Sequence, residues 1–216
     1  MEASGHATRQ KRTRPGTLFL VVGPSGAGKD TLIRAARARF AEETRFVFPR
    51  RYITRAPDPK AEDHMHVDHD TYETMRRDGA FALSWSAYGD YYGVPRDIER
   101  DLADGKDVVV NVSRTIVDAV SANFPSVKVI WLTVAPEILS KRLRQRPGIQ
   151  ELDRLVREAR AQSYTPHGDN VRTLANNGDI TAGADLFIRF LTEWDDAVMP
   201  LDGNSKTTDR PAHVVH

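Results

Sequence analysis

The chain contains no cysteine, so disulfides, thiol nucleophiles and thiolate metal sites are excluded. It also lacks an excess of either charge: 31 Lys and Arg stand against 30 Asp and Glu, a formal net charge of +1. That balance argues against a dedicated nucleic-acid binder, which carries a clear basic excess, although clustering can still concentrate one sign locally. Long apolar runs are missing. The longest are pieces such as Leu18 to Val22, far short of a membrane span. The opening MEASGHATRQKRTRPG has no apolar stretch of the secretory kind. Together these absences predict a soluble cytoplasmic protein with neither nucleic acid nor membrane as partner.

What is present is an ordinary globular composition over 216 residues, 40% apolar and 28% charged, enough for one substantial domain with a buried core. Residues 1–16 are polar and basic without periodicity and read as a disordered tail. An anion-binding arm built on Arg9, Lys11, Arg12 and Arg14 is the alternative. Residues 196–216 read as a second tail. Between them, over 17–195, strand-like and helix-like segments alternate. Thr17 to Val22, Val108 to Val112 and Val127 to Val134 read as buried strands. Asp30 to Phe40, Pro136 to Arg146 and Asp185 to Trp194 read as helices, the second with proline near its start. Alternation of this kind predicts an α/β fold, a mostly parallel sheet covered on both faces, whose ligands bind beyond the carboxyl ends of the strands.

The strongest motif is Gly23-Pro24-Ser25-Gly26-Ala27-Gly28-Lys29-Asp30-Thr31. It sits between a buried strand and a helix, where a phosphate loop must sit. Glycines let successive N–H groups curl around phosphate oxygens. The following helix aims its positive dipole end at the anion, and the Lys29 ammonium reaches the outer phosphates of a nucleoside triphosphate. Where Ser or Thr would ordinarily follow Gly-Lys as a Mg²⁺ ligand, this chain has Asp30, then Thr31. A carboxylate is a hard oxygen ligand and can serve Mg²⁺ directly or through water. Either Asp30 or Thr31 can fill the role, and a negative charge beside phosphates could equally weaken nucleotide binding. The reading that follows is a P-loop phosphotransferase with ATP as donor.

Downstream segments resemble the guanylate kinase family. Arg51-Tyr52-Ile53-Thr54-Arg55-Ala56-Pro57 resembles that family's arginine segment. Gly79-Ala80-Phe81 and Gly89-Asp90-Tyr91-Tyr92-Gly93-Val94-Pro95 resemble its acceptor motif. Arg142 to Arg146 and Arg154-Leu155 resemble the lid arginines, and Asn176-Asn177-Gly178-Asp179 the loop beside the adenine. The resemblance covers roughly residues 17–195. It implies a three-layer P-loop kinase with an acceptor-binding insertion at about 44–100 and a lid at about 140–160. It further implies that Arg51, Arg55 and one of Tyr91 and Tyr92 meet the acceptor phosphate, that Arg146 and Arg154 act from the lid, and that Asn176 lies by the nucleotide base. Three features resemble the branch of the family that phosphorylates ribose 1,5-bisphosphate: Gly28-Lys29-Asp30-Thr31, Glu62-Asp63-His64, and Val110-Asn111-Val112-Ser113-Arg114. Guanylate kinases carry acids where Asn111 and Ser113 stand and a glutamate near Leu83, so guanine recognition is undermined. A sugar bisphosphate carries an anion at each end, which an acidic pocket would repel and a neutral or basic one would hold. Arg114, with His64 or His66, is the candidate for the second phosphate, and surface pairing of Arg114 is the alternative. Asp63 is expected to position substrate or Mg²⁺, with a turn-forming role as its alternative.

The chemistry suits these residues. The attacking group is itself a phosphate oxygen, ionised at neutral pH, so no general base is required. The obstacle is repulsion between polyanions, which Lys29, Arg55, Arg146, Arg154 and Mg²⁺ would offset. Arg142 and Arg146 are four apart and share a helix face, and Pro147-Gly148 reads as a hinge. Alternation would also put His64, His66 and Asp68 on one strand face, a transition-metal site that nothing else in the sequence supports. Two rival functions remain at this point: a nucleoside-monophosphate kinase acting on guanylate, and an inactive binding module of the same fold.

Overall fold

The computed structural model describes residues 14–56, 63–145 and 165–194. The expected tails lie almost wholly outside these residues, as do Arg146, Arg154 and Pro147-Gly148 of the expected lid.

Leu18–Val22 forms β1, every residue buried. Apolar, branched side chains on both faces suit a strand enclosed between two helical layers. Lys29–Arg39 forms α1. Short strands β2 (Phe46–Val47), β3 (Tyr52–Ile53) and β4 (Met65–His66) follow, then α2 (His69–Arg77), β5 (Phe81–Ala87), β6 (Asp90–Pro95), α3 (Asp97–Ala103) and β7 (Asp107–Asn111). A 3₁₀ turn at Arg114–Ile116 leads into α4 (Val117–Asn123), β8 (Val127–Thr133) and α5 (Pro136–Arg144). The last described elements are β9 (Val171–Ala175) and the helix Ile180–Thr192, here α6. The predicted strands are found to within a residue or two. The last helix begins five residues earlier than the apolar pattern suggests, because the Asp179 side chain accepts from the Thr181 N–H and starts the turn there.

The main sheet runs β2-β7-β1-β8-β9, and all its pairings are parallel. Successive side chains of β1 leave on opposite faces. Phe19 and Val21 pack with Leu32 and Ala36 of α1 and Phe187 and Phe190 of α6. Leu18, Leu20 and Val22 pack on the other face with Ile98 and Leu102 of α3 and Val117 and Val120 of α4. This is the α/β sheet covered on both faces. Buried Asp107 fixes the register of its near edge, accepting from the Thr17 N–H at 2.8 Å and from Arg45 Nε at 2.7 Å. The expected tail ran through residue 16, but Gly16 is buried and its N–H donates to the Leu102 carbonyl at 2.8 Å.

A second sheet, β4-β3-β6-β5, comes from residues inside the 44–100 stretch. β5 and β6 form an antiparallel hairpin, and its turn holds Tyr88 at φ 56° beside Gly89 at φ 82°. Leu83 and Val94 of this hairpin belong to the same core cluster as β1 and β7, so the second sheet is packed against the first.

Candidate active site

The loop after β1 turns sharply at glycines with left-handed backbone. Gly26 has φ 88° and Gly28 φ 91°. A Cβ on Gly28 would stand 2.6 Å from Asn176 Nδ2, so no other residue fits there. Gly28 is also the N-cap of α1, and no side chain caps the first turn. The positive end of the helix dipole therefore lies at the loop, an arrangement that favours an anion there. The Lys29 ammonium folds back along the loop, donating to the carbonyls of Gly23 and Pro24 at 2.9 Å each. Ala27 is buried beneath the loop rather than on the cavity wall. Its carbonyl accepts from Asn176 Nδ2 at 2.7 Å, which ties the loop to the end of β9.

A cavity of about 800 Å³ opens beyond the carboxyl ends of β1, β7 and β9, lined on one side by Gly23 to Gly26, Gly28, Lys29, Asp30, Thr31 and Asn176. The rest of its lining includes Arg51, Arg55, Trp85, Tyr92, Asn111, Ser113 and Arg114. Among the described residues, six cationic side chains (Lys29, Arg34, Arg51, Arg55, Arg114 and Arg142) line the cavity with one carboxylate, Asp30. In a chain of net charge +1, this is a strongly focused positive field.

The wall around Arg51 is held by several contacts. Arg51 is buried, donates from Nη1 to the Asn111 carbonyl at 2.9 Å, and lies 5.7 Å from the Trp85 ring and 5.4 Å from the Tyr92 ring. Those two rings stack in parallel, centroids 5.3 Å apart and planes 2° apart. Arg55 stands 3.8 Å from Asp90. Behind Tyr92, the buried Tyr72 hydroxyl donates to the Tyr92 carbonyl at 2.8 Å, and burial pushes that phenol above the ordinary tyrosine range. Where β7 runs beside β1, Asn111 Nδ2 donates to Asp30 Oδ1 at 2.6 Å. Ser113 lines the wall while its Oγ caps the 3₁₀ turn by accepting from the Thr115 N–H.

Several expectations require correction. Tyr91 does not line the cavity. Alternation on β6 turns it away from Tyr92, and its ring packs on His69 and Tyr72. Asp63 is not on the wall either. It pairs with Arg50 at 2.7 Å and Arg37 at 3.5 Å, joining the chain near β4 to α1. His64 and His66 share a face, as alternation requires, but His64 Nε2 and His66 Nδ1 both bond the Arg55 carbonyl and neither lines the cavity. They brace the backbone of Arg55 instead of meeting a phosphate.

Other wall residues were not singled out from the sequence. Arg34 lies one turn beyond Asp30 on α1. Trp85 and Tyr88 come from the hairpin, and Ile180 from the start of α6. Arg142, which the resemblance grouped with the lid arginines without a separate role, has a buried Nη1 with no hydrogen-bond partner among the described residues. A phosphate oxygen in the cavity would satisfy such a group. The i, i+4 spacing from Asp30 was the one available signal for Arg34. Nothing local marks Trp85.

Comparison with known proteins agrees with this geometry. Residues 15–178 match the family model described as guanylate kinase. A ribose 1,5-bisphosphate phosphokinase PhnN from Acidiphilium cryptum is 54% identical over 149 residues, 68% of this chain and 79% of the relative. One of the same description from Rhodopseudomonas palustris is 41% identical over 170 residues, 79% of this chain and 85% of the relative. Among solved structures, a guanylate kinase from Anaplasma phagocytophilum superposes with a TM-score of 0.59 at 18% identity, covering 86% of this chain and 89% of that one, a likeness of fold alone. The chain belongs to the guanylate kinase family, within the group of the ribose 1,5-bisphosphate phosphokinases.

Proposed function

We propose that the protein transfers the γ-phosphoryl group of ATP to ribose 1,5-bisphosphate, giving ADP and 5-phospho-α-D-ribose 1-diphosphate. An oxygen of the sugar's 1-phosphate attacks the γ-phosphorus. The bond to the β,γ-bridging oxygen breaks, and ADP leaves with that electron pair. The attacking oxygen is already ionised, so the protein's task is positioning and charge neutralisation. The observation that carries the reading is the cavity itself, six cations against one carboxylate between a glycine-rich loop and an arginine-lined wall.

In this reading Lys29 and N–H groups of the loop between Ser25 and Asp30 hold the triphosphate, and Asn176 keeps the loop in place. Arg51, Arg55 and Tyr92 meet the acceptor's reacting phosphate, and Arg114 with Ser113 meets the other one. Arg146 and Arg154 would join from the lid. The wall also suits Mg²⁺. Asp30 Oδ1 is held by Asn111, which leaves the second carboxylate oxygen and the Thr31 hydroxyl as hard donors, and Mg²⁺ ordinarily takes only one or two protein groups besides phosphate and water oxygens. When bound, the ion would neutralise the charge of the β- and γ-phosphates.

The test is an acceptor comparison. Purified protein with Mg-ATP is offered ribose 1,5-bisphosphate or GMP, while ADP and the sugar diphosphate are quantified. Turnover with the bisphosphate, and little with GMP, is expected. Preference for GMP would overturn the acceptor assignment, and no turnover with either would overturn the reading as a whole.

A further inference from the structure

The hydrogen bond between Asn111 and Asp30 joins residues 81 apart in sequence and crosses from the end of β7 to the first turn of α1. Asn111 is 8% exposed, and a buried carboxamide needs a partner. Toward a carboxylate it can act only as donor, through Nδ2. That fixes Oδ1 of Asp30, a residue of the cavity wall, and leaves its other oxygen outside this bond. The same residue's carbonyl accepts from Arg51 Nη1. One asparagine thus orients the carboxylate on the nucleotide side and a guanidinium on the acceptor side.

The distribution of charge around this bond is uneven. Asp30 is the one carboxylate among the described residues of the wall, and Asn111, Ser113 and Arg114 carry no negative charge. P-loop nucleotide enzymes generally hold Mg²⁺ with a hydroxyl from the loop and a carboxylate from a strand. Here the carboxylate stands on the loop side and a neutral amide stands at the strand end.

We infer that Asn111 is a positioning residue. It aims Asp30 at the nucleotide's divalent cation and keeps the strand-side wall free of the negative charge that a bisphosphate acceptor would meet. The exchange lets one cavity bind a metal through a carboxylate on one side and a dianionic phosphate on the other, without setting that carboxylate against the acceptor. This rests on the Mg-ATP and bisphosphate reading above.

The test uses the full chain with Asp30→Ser, with Asn111→Ala, and with Asp30→Ser and Asn111→Asp together. Calorimetry gives ATP affinity with Mg²⁺ and with EDTA, and the ratio isolates the metal's contribution. Steady-state kinetics gives KM for each substrate. Each single substitution should cut the metal's contribution about tenfold, as expected for the loss of a charge-assisted contact; in EDTA, affinity should be little changed for Asn111→Ala and tighter for Asp30→Ser, which removes a negative charge beside the phosphates. The double substitution, which returns the carboxylate to the strand, should restore the metal's contribution to near wild type and raise KM for the bisphosphate about tenfold or more through like-charge repulsion. Failure of the double variant to recover the metal's contribution would overturn the inference, as would recovery with an unchanged bisphosphate KM. An Asn111→Ala protein with the metal's contribution unchanged would overturn it too; if that variant does not fold, Asn111→Ser, too short to reach Asp30, takes its place. A wild-type protein that binds no Mg-ATP would bring down the phosphotransferase reading and this inference together, an outcome seen before any variant is compared.

Discussion

Lys29 carries the largest single consequence. Its ammonium rests on two loop carbonyls, so the loop is shaped around a cation already in place. Lys29→Met keeps the length and removes the charge. It should lower kcat/KM by about a hundredfold or more, as for loss of a group that stabilises transition-state charge, with the unfolding midpoint little changed. In the proposed reading Arg114 meets the other substrate. Arg114→Ala should raise KM for the bisphosphate by about tenfold to a hundredfold, the range for a charged hydrogen bond, with KM for ATP unaffected; an unchanged bisphosphate KM would remove Arg114 from the acceptor site. The two variants therefore separate the two halves of the cavity in one set of initial-rate measurements. Asp63 shows why residue identity alone misleads. An acid next to an arginine segment looked like a ligand, and only the chain path sets it between Arg50 and Arg37.

The elements around the cavity owe their starts to specific caps. α1 begins on a glycine with no side-chain cap, whereas α2 is capped by Asp68, which accepts from the Thr71 N–H at 2.7 Å. That backbone bond holds the Asp68 carboxyl below the ordinary aspartate range. A carboxyl whose folded pKa is depressed adds stability above its unfolded pKa and loses it as pH falls through the folded value. Asp68→Ala should thus lower the thermal midpoint by a few degrees at neutral pH, and the gap from wild type should close in acid below the aspartate range. A gap independent of pH would show that the cap acts through something other than its charge. The hairpin contributes differently. Tyr88 adopts a left-handed backbone that bulky residues seldom adopt and lies on the cavity wall, the kind of local strain that surrounding structure sustains at binding sites. Asn176 links the end of β9 to the Ala27 carbonyl, so the loop's shape depends on a strand nearly 150 residues away.

Over the whole molecule, near-neutral net charge conceals a cavity rich in cations. Bringing these cations together in a folded protein costs repulsion that polyanionic substrates relieve, so substrates and stability are linked. Mg-ATP at about one hundred times its Kd should add about 2.7 kcal/mol, which for a chain of this size raises the unfolding midpoint by about 5–10 °C. Differential scanning calorimetry with and without Mg-ATP checks this, and Lys29→Met should lose most of the shift. The sequence by itself determined the phosphate loop, the buried parallel strands and the helices between them, because loop geometry, side-chain alternation and helix starts are set by residues within a turn or two of one another. Only the tertiary structure decided which arginines reach the cavity, that Tyr92 faces it and Tyr91 does not, that the histidines brace Arg55, and that Asn111 holds Asp30. The Asn111–Asp30 bond depends on β7 lying beside β1 in the main sheet, and the histidine and tyrosine placements depend on the order β4-β3-β6-β5 and on how that sheet packs against the first. No local pattern encodes the meeting of groups brought together across a sheet.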